Sequence, residues 1–170
     1  MKVLLILLTL LPSISLAKDI SYFDYEFSIP DSYKIVENNL TDKSNGLFIL
    51  IEDKKVAFSI EKKDENFFSL EEHGANSHRE LFYVLFNNEP SDNKAILELR
   101  AVLENYKLQK QSIYKNDNDF VFFRTDNGMN LIGTATIIVS TPINEVLVIG
   151  FNKGFKEEFV QSVLDSFVVK

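Results

Sequence analysis

The sequence predicts a single α+β domain, an antiparallel sheet of about seven strands with helices packed on it in an α/β/α sandwich. Three observations lead to this fold class. The segment from Glu145 to Phe167 has the pattern of a buried strand, a turn and an amphipathic helix. Several apolar strand segments precede it, and the turns between the last of them are too short for crossover helices. An apolar leader at the N-terminus has neither pattern, so the domain is expected to begin after it.

The segment from Glu145 to Phe167 carries the clearest signal. Val146–Ile149 is continuously apolar, as expected of a strand that is covered on both faces. Asn152 and Gly154 interrupt the run, and either is expected to cap the helix that follows. Apolar residues then recur at helical spacing, so one stripe of this helix is expected to lie on the sheet: Phe155, Phe159, Val160, Val163, Leu164 and Phe167.

Alternation and turn residues predict the remaining elements. Tyr22–Ile29 is expected as one opening strand, with Phe23 on its buried side and Tyr22 on its exposed side. Glu37–Gly46 is polar and is expected as a loop. The other predicted strands are Leu47–Glu52, Val56–Glu61, Gln109–Tyr114, Phe120–Thr125, Leu131–Ser140 and Glu145–Phe151, the last four forming a meander. The other predicted helices are Ser69–Phe86, which begins with a Ser-x-x-Glu capping box, and Lys94–Tyr106.

The first 17 residues have the organisation of a cleaved leader. Lys2 is positive, Val3–Leu11 is apolar, and Ser15-Leu16-Ala17 has small residues at the positions that a signal peptidase reads. The apolar run is well short of the roughly 20 residues that span a bilayer, which favours cleavage over an uncleaved anchor. We therefore expect a signal peptide at 1–17, one domain at 18–170, and a periplasmic or secreted location.

Composition restricts the classes of function. The chain has 25 acidic and 18 basic residues and a formal net charge of −7. An acidic surface repels phosphate, which disfavours nucleic-acid binding and is compatible with a basic protein partner. There is no cysteine, which excludes disulfides, cysteine nucleophiles and thiolate metal sites. Fifteen Phe and no Trp indicate aromatic packing in the core.

The sequence contains no recognisable catalytic constellation, and we expect no catalytic residue, cofactor or metal. The two histidines, His73 and His78, are five residues apart, which separates them by about 140° on one helix. His73 is expected to face Phe68 as a hydrophobic staple, and His78 is expected at the boundary of a helix face. Asn116–Asp119 is rich in oxygen ligands but lacks the glycine and the distant glutamate of a calcium loop, so a turn is expected.

Other charged and aromatic pairs also have structural explanations. Glu71-Glu72 and Glu157-Glu158 are expected in the first turns of helices, where acids favour the helix dipole. Phe67-Phe68, with Tyr22 and Tyr83, leaves two interpretations open. These residues form either a protein-binding patch or a satellite apolar cluster under a loop.

Two local signatures resemble the PsbP-like α/β/α sandwich family. Tyr25–Pro30 is an alternating strand that ends in proline; relatives often continue with Gly and Trp, where this chain has Asp31-Ser32-Tyr33. The second signature is the closing strand and helix, which ends in Val163–Phe167. The resemblance covers about residues 20–168. It implies a non-enzymatic binding protein, and no functional residue transfers because no functional motif matches.

The function expected from the sequence is that of an exported, soluble, non-catalytic protein that binds a partner protein in the periplasm or outside the cell. A sharper version is an immunity-type inhibitor of a basic toxin or enzyme. Two alternatives stay open. One is an envelope hydrolase or metal-dependent enzyme that uses His73 or His78 beside carboxylates. The other is a carrier of a small ligand or lipid in a Phe-lined cavity between sheet and helices.

Overall fold

The computed structural model describes residues 17–30, 35–41, 46–51, 56–64, 68–87, 90–105, 108–127, 135–151 and 155–170. Several predicted features lie outside the described residues: residues 1–16 of the leader, Asp31-Ser32-Tyr33, Phe67, 131–134 of a predicted strand, Asn152 and Gly154. The described elements are β1 (Lys18–Tyr22), β2 (Tyr25–Ile29), β3 (Ile35–Thr41), β4 (Gly46–Ile51), β5 (Val56–Lys62), α1 (Leu70–His73), α2 (His78–Phe86), α3 (Lys94–Asn105), β6 (Leu108–Lys115), β7 (Val121–Asn127), β8 (Ala135–Ser140), β9 (Val146–Phe151), α4 (Glu157–Asp165) and β10 (Val168–Val169).

The described strands form two antiparallel sheets. The large sheet has seven strands in the order β3-β4-β5-β9-β8-β7-β6, and the small sheet has the order β1-β2-β10. Strands β6 to β9 are neighbours in sequence and in space, which confirms the predicted meander. The predicted α+β fold class, with an antiparallel sheet of about seven strands and packed helices, is confirmed.

The large sheet is the middle layer of three. Side chains alternate across a strand, so Ile137 and Val139 enter one core while Ile138 packs against the other. The first core lies between the large sheet, the small sheet and α4. The second core lies between the large sheet and α2 and α3, and Phe82 and Phe123 are fully buried in it.

Helix α4 buries the stripe that its sequence predicts. Phe159, Val160, Val163 and Leu164 are buried, and Phe167, just after the helix, is fully buried. The predicted cap is wrong, because the helix begins after Lys156, which makes no side-chain capping bond. Glu157 and Glu158 lie in the first turn as predicted, where their charges favour the positive end of the helix dipole.

The predicted helix Ser69–Phe86 is two helices. Ser69 caps α1 as predicted, accepting a hydrogen bond from the Glu72 amide at 3.4 Å. Gly74 then adopts a φ of 63°, the left-handed conformation that ends helices. Ser77 begins α2 with a second cap, accepting from the Glu80 amide at 3.2 Å. The single-helix prediction is wrong because a C-cap glycine and a second N-cap serine outweigh the continuing apolar period.

The predicted opening strand Tyr22–Ile29 is also two elements. Phe23 and Asp24 form the turn of a hairpin in which Tyr22 pairs with Tyr25. The turn reverses the expected sides, so Tyr22 is buried and Phe23 is 48% exposed. Tyr25, Phe27 and Ile29 are buried as predicted, because side chains alternate between the two faces of β2 beyond the turn.

Part of the predicted loop Glu37–Gly46 is strand. Strand β3 occupies Ile35–Thr41 and, among the described strands, pairs with β4 alone, with a register irregularity between Ile35 and Glu37. An edge strand takes its hydrogen bonds from one neighbour and tolerates polar residues, so its sequence resembles a loop.

Phe167→Ala is expected to lower the free energy of unfolding by about 3–5 kcal/mol, because it leaves a cavity in the first core. The Phe167 ring stacks on Phe27 at 4.9 Å between centroids and also contacts Phe120 and Phe122. Leu97→Ala on α3 is the control, since this side chain is 48% exposed and its loss changes stability by less than about 0.5 kcal/mol. Urea unfolding of both variants measures the difference, and equal effects would contradict the assignment of Phe167 to the core.

Candidate binding surface at the turn end of the sandwich

Three turns meet at one end of the sandwich, which we call the turn end. They are Phe23-Asp24 between β1 and β2, Asn116–Phe120 between β6 and β7, and Thr141–Glu145 between β8 and β9. Antiparallel pairing places the last two at the same end of the large sheet. The first turn joins them because the Tyr25 hydroxyl lies 3.3 Å from Thr141 Oγ1.

A polar network fastens the β1–β2 hairpin to the large sheet. The Tyr25 hydroxyl donates a hydrogen bond to the Glu145 carboxylate, whose other oxygen accepts from Lys62 Nζ at 2.6 Å. The Glu145 amide donates to Thr141 Oγ1 at 3.0 Å, which shapes the β8–β9 turn. The Tyr22 hydroxyl accepts from the Lys62 amide at 2.7 Å. Both buried tyrosines of the hairpin therefore hold their hydroxyl groups against the large sheet.

The electrostatics of this network favour structure over proton transfer. Burial raises the pKa of Tyr25, and the hydrogen bond to Glu145 raises it further. Burial likewise raises the pKa of Tyr22 to about 12. Burial opposes ionisation of Glu145, but the hydrogen bonds from Lys62 and Tyr25 prevail and lower its pKa. Tyr25 thus stays a protonated donor, and Glu145 stays a charged and weakly basic acceptor, so neither suits acid–base catalysis near neutral pH.

His78 anchors the start of α2 to the β8–β9 turn. Its backbone amide donates to Asn144 Oδ1 at 3.1 Å, and its Nδ1 donates to the Asn144 carbonyl at 3.0 Å. Since a carbonyl only accepts, Nδ1 carries the proton. The ring is 5% exposed and stacks on Phe82 with 6.3 Å between centroids. These contacts give His78 a structural role at the turn end.

The neighbouring Arg79 connects the same helix end to the β6–β7 turn. Its guanidinium donates to Asp119 Oδ2 at 3.1 Å and to the Asp119 carbonyl at 2.7 Å. Lys115 Nζ lies 2.5 Å from Asp119 Oδ1. The hydrogen bonds from Lys115 and Arg79 hold the pKa of Asp119 below its ordinary value. The start of α2 is therefore bound to two turns, through His78 and through Arg79.

Each of the three turns holds one residue at positive φ. Among the described residues, the non-glycine residues with this backbone are Phe23 at 50°, Asp119 at 63° and Asn144 at 63°. Asp and Asn adopt the left-handed region readily, whereas a bulky aromatic residue there is an outlier. Such conformations persist where tertiary contacts impose them, and they cluster at functional sites. The described non-glycine residues with positive φ therefore all lie at the turn end, and among them Phe23 is the conformational outlier.

Two of the turns also present large apolar side chains to solvent. Phe23 is 48% exposed and Ile143, in the β8–β9 turn, is 50% exposed. Val169, which pairs with Tyr25 in the small sheet, is 39% exposed. Sequence reasoning missed these residues. The signal was present as an apolar residue next to turn-forming ones, in Phe23-Asp24 and Pro142-Ile143-Asn144.

The described members of the aromatic set Phe67, Phe68, Tyr22 and Tyr83 are packed more than exposed. Tyr22 is buried, and Phe68 and Tyr83 are half-buried against the second core. Phe68 packs edge-on against the ring of Phe82 at 5.1 Å between centroids. The described members of this set therefore pack in two places, Tyr22 in the first core and Phe68 and Tyr83 against the second.

The two histidines lie in separate helices, so the predicted angle between them on one helix does not apply. His73 Nδ1 lies 2.5 Å from the Ser69 carbonyl. Within the described ranges, no group of three or more His, Asp or Glu residues is placed to hold a metal ion. No helix in the described part of the chain has the length and apolar character needed to cross a membrane.

Glu145→Gln is expected to lower the free energy of unfolding at neutral pH by about 1–3 kcal/mol, because it weakens charged hydrogen bonds to Lys62 and Tyr25. The folded-state pKa of Glu145 lies below 4.5, so its contribution is complete above pH 4.5 and is lost as the pH falls through the folded pKa. The difference in free energy of unfolding between wild type and Glu145→Gln therefore becomes smaller as the pH falls below 4.5. Urea unfolding across pH measures the gap, and a gap independent of pH would contradict the role of Glu145.

Tyrosine ionisation provides an independent measurement of the polar network around Tyr22 and Tyr25, and of the hydrogen bond between Tyr114 and Asp165. The hydrogen bond to Asp165 raises the pKa of Tyr114 to about 12, Tyr22 reaches a similar value, and Tyr25 is raised as well. The stability that these neutral phenols contribute is present below pH 10 and is lost as the pH rises through their folded pKa values. Phenolate absorbance is expected to show at least three late-titrating groups among the six tyrosines. Tyr25→Phe should remove one of them, and titration of all six near pH 10 would contradict the network.

No protein-family model matches the chain, and no curated protein matches it. We therefore infer function from the contacts, charges and exposure of the turn end.

Proposed function

We propose that the protein is exported and acts by binding another protein at the turn end, without catalysing a reaction. The observation that carries this proposal is the combination of exposed apolar side chains with a rigid polar support. Phe23 and Ile143 project from turns that are tied to the sheet and to α2 by side-chain hydrogen bonds. Exposed apolar groups on rigid turns are typical of recognition surfaces.

The ionisable groups of the turn end support binding over catalysis. Glu145 is paired with Lys62 and accepts a hydrogen bond from the Tyr25 hydroxyl, and Asp119 is paired with Arg79 and Lys115. Each charge therefore stabilises a turn. A catalytic acid or base needs a pKa near the working pH, whereas these contacts move the pKa values of Tyr25 and Glu145 away from neutrality.

Export is supported by the leader pattern, and cleavage after Ala17 is compatible with the position of β1. Strand β1 starts at Lys18, directly after the expected cleavage site at Ala17, and its partner β2 holds it by a full five-residue register. Cleavage after Ala17 would therefore leave every described strand intact. Two apolar cores hold the described fold in a chain that has no cysteine for disulfides.

A basic partner is the finer form of the proposal, with an immunity-type inhibitor of a basic toxin or enzyme as one case. The net charge of −7 supports it, because opposite charge speeds association and suppresses acidic competitors. We also retain the proposal that the chain is a PsbP-like binding domain, which is compatible with its three layers. For the immunity-type case, cells that lack the protein should be killed by the toxin of sibling strains, and equal survival would eliminate it.

The mature protein is expected to begin at Lys18 and to occur in the periplasm or the medium. Intact mass measurement after expression of the full chain checks the cleavage site, and fractionation checks the location. Ala17→Asp should block processing, because signal peptidases need a small residue at this position. If the wild-type chain stayed unprocessed in the cytoplasm, export would be contradicted.

Binding is tested by chemical crosslinking of tagged mature protein in envelope extract, followed by affinity purification and mass spectrometry. We expect a stoichiometric partner whose recovery falls as salt is raised, because exposed charges are screened. A scrambled, unfolded version of the chain controls for non-specific capture. Absence of a partner at low salt would contradict the proposed function.

A further inference from the structure

The expected cleavage site lies directly against the small sheet. Cleavage after Ala17 breaks the peptide bond between the Ala17 carbonyl and the Lys18 nitrogen. Strand β1 begins at Lys18, which lies opposite Ile29 in the register with β2. The leader is therefore joined to a paired strand without any intervening residue.

The nitrogen of this bond belongs to the hydrogen-bond ladder of the β1–β2 hairpin. Backbone groups of successive residues in a strand point to opposite sides of that strand. The Ser28 amide points away from β1, because it donates to Ser166 Oγ at 2.8 Å. The backbone groups of the next residue, Ile29, therefore point towards β1 and its opposite residue, Lys18. Pairing of the hairpin thus uses the nitrogen of the bond that has to be cleaved.

Side chains of β1 also resist its separation from the sheet. Ile20 is 3% exposed and belongs to the first core. Asp19 accepts a hydrogen bond from the Ser28 hydroxyl at 2.7 Å. Tyr22 is buried, and its hydroxyl accepts from the Lys62 amide at 2.7 Å. Detachment of β1 would therefore expose apolar surface and break side-chain hydrogen bonds as well as the ladder.

We infer that pairing of β1 with β2 hides the Ala17–Lys18 bond from the signal peptidase, so that the leader is removed before the hairpin closes. A peptidase binds the residues around a scissile bond as an extended strand, which needs the backbone groups that pair with β2. A precursor that has already folded is cleaved only from the fraction in which β1 is detached. The inference rests on the proposed export and adds an order of events to it: folding closes the cleavage site.

A spacer between the leader and β1 tests the inference on the full chain. Insertion of Lys-Asp-Gly-Ser-Gly-Ser after Ala17 keeps the residue types next to the scissile bond and moves that bond out of the ladder. Both precursors are purified in detergent micelles, folded, and incubated with signal peptidase. We expect the wild-type precursor to be cleaved at least about tenfold more slowly than the spacer variant, because its cleavage depends on detachment of β1. Intact mass measurement follows both products.

Two substitutions in β1 separate the effect of pairing from recognition of the cleavage site. Ile20→Gly removes the buried anchor without changing Ala17 or Lys18, so the folded precursor should be cleaved faster. Ser21→Ala is the matched control on the exposed side of the same strand, and its cleavage rate should equal that of wild type. Circular dichroism verifies that each precursor is folded. The spacer variant changes no residue of the fold, so it decides the test if Ile20→Gly does not fold.

Three results would overturn the inference. The first is an equal cleavage rate for the folded wild-type and spacer precursors, which would leave the proposed export standing. The second is an equal acceleration by Ser21→Ala and Ile20→Gly, because the residues next to the scissile bond, and not pairing, would then set the rate. The third is a wild-type chain that cells neither process nor export, which would remove the proposed export together with this inference.

Discussion

The run Phe120–Phe123 is the constraint on which the rest of the structure depends. Phe120 and Phe122 enter the core beneath α4, while Val121 and Phe123 enter the core beneath α2 and α3. Alternation along a strand sends successive side chains to opposite faces, so four consecutive apolar residues require cover on both sides. The β7 segment thus makes the large sheet a middle layer, and the helices and the small sheet supply the two outer layers.

The turn end follows from this arrangement. Burying both faces of a sheet leaves its ends as the place where the backbone reverses, and there side-chain hydrogen bonds replace apolar contacts. The Tyr25–Glu145–Lys62 network fixes the small sheet to the large one, while His78 and Arg79 fix α2. Turns that are hydrogen-bonded in this way hold their exposed side chains in place, which supports the proposed role in recognition.

Local pattern was sufficient for the fold wherever burial dominates. The stripe of α4 and the meander from β6 to β9 followed from apolar spacing, and the capping serine Ser69 followed from a hydrogen bond within one helical turn. The pattern failed where a turn or a distant strand decides. Gly74 divided a predicted helix, the Phe23-Asp24 turn divided a predicted strand, and pairing with β4 made a strand from the polar segment that begins at Ile35.

The sequence predicts local properties of the candidate surface, but not which residues come together there. The printed residues alone establish the acidic charge, the missing cysteines, the leader pattern and the apolar periods, since these depend on composition and local spacing. Tertiary structure decided that Phe23 faces solvent and Tyr22 the core, and that Glu145 lies against Lys62 and Tyr25. Residues more than eighty positions apart meet only when strands pair, and that pairing is set by the total burial of the sheet, which no short segment of sequence contains.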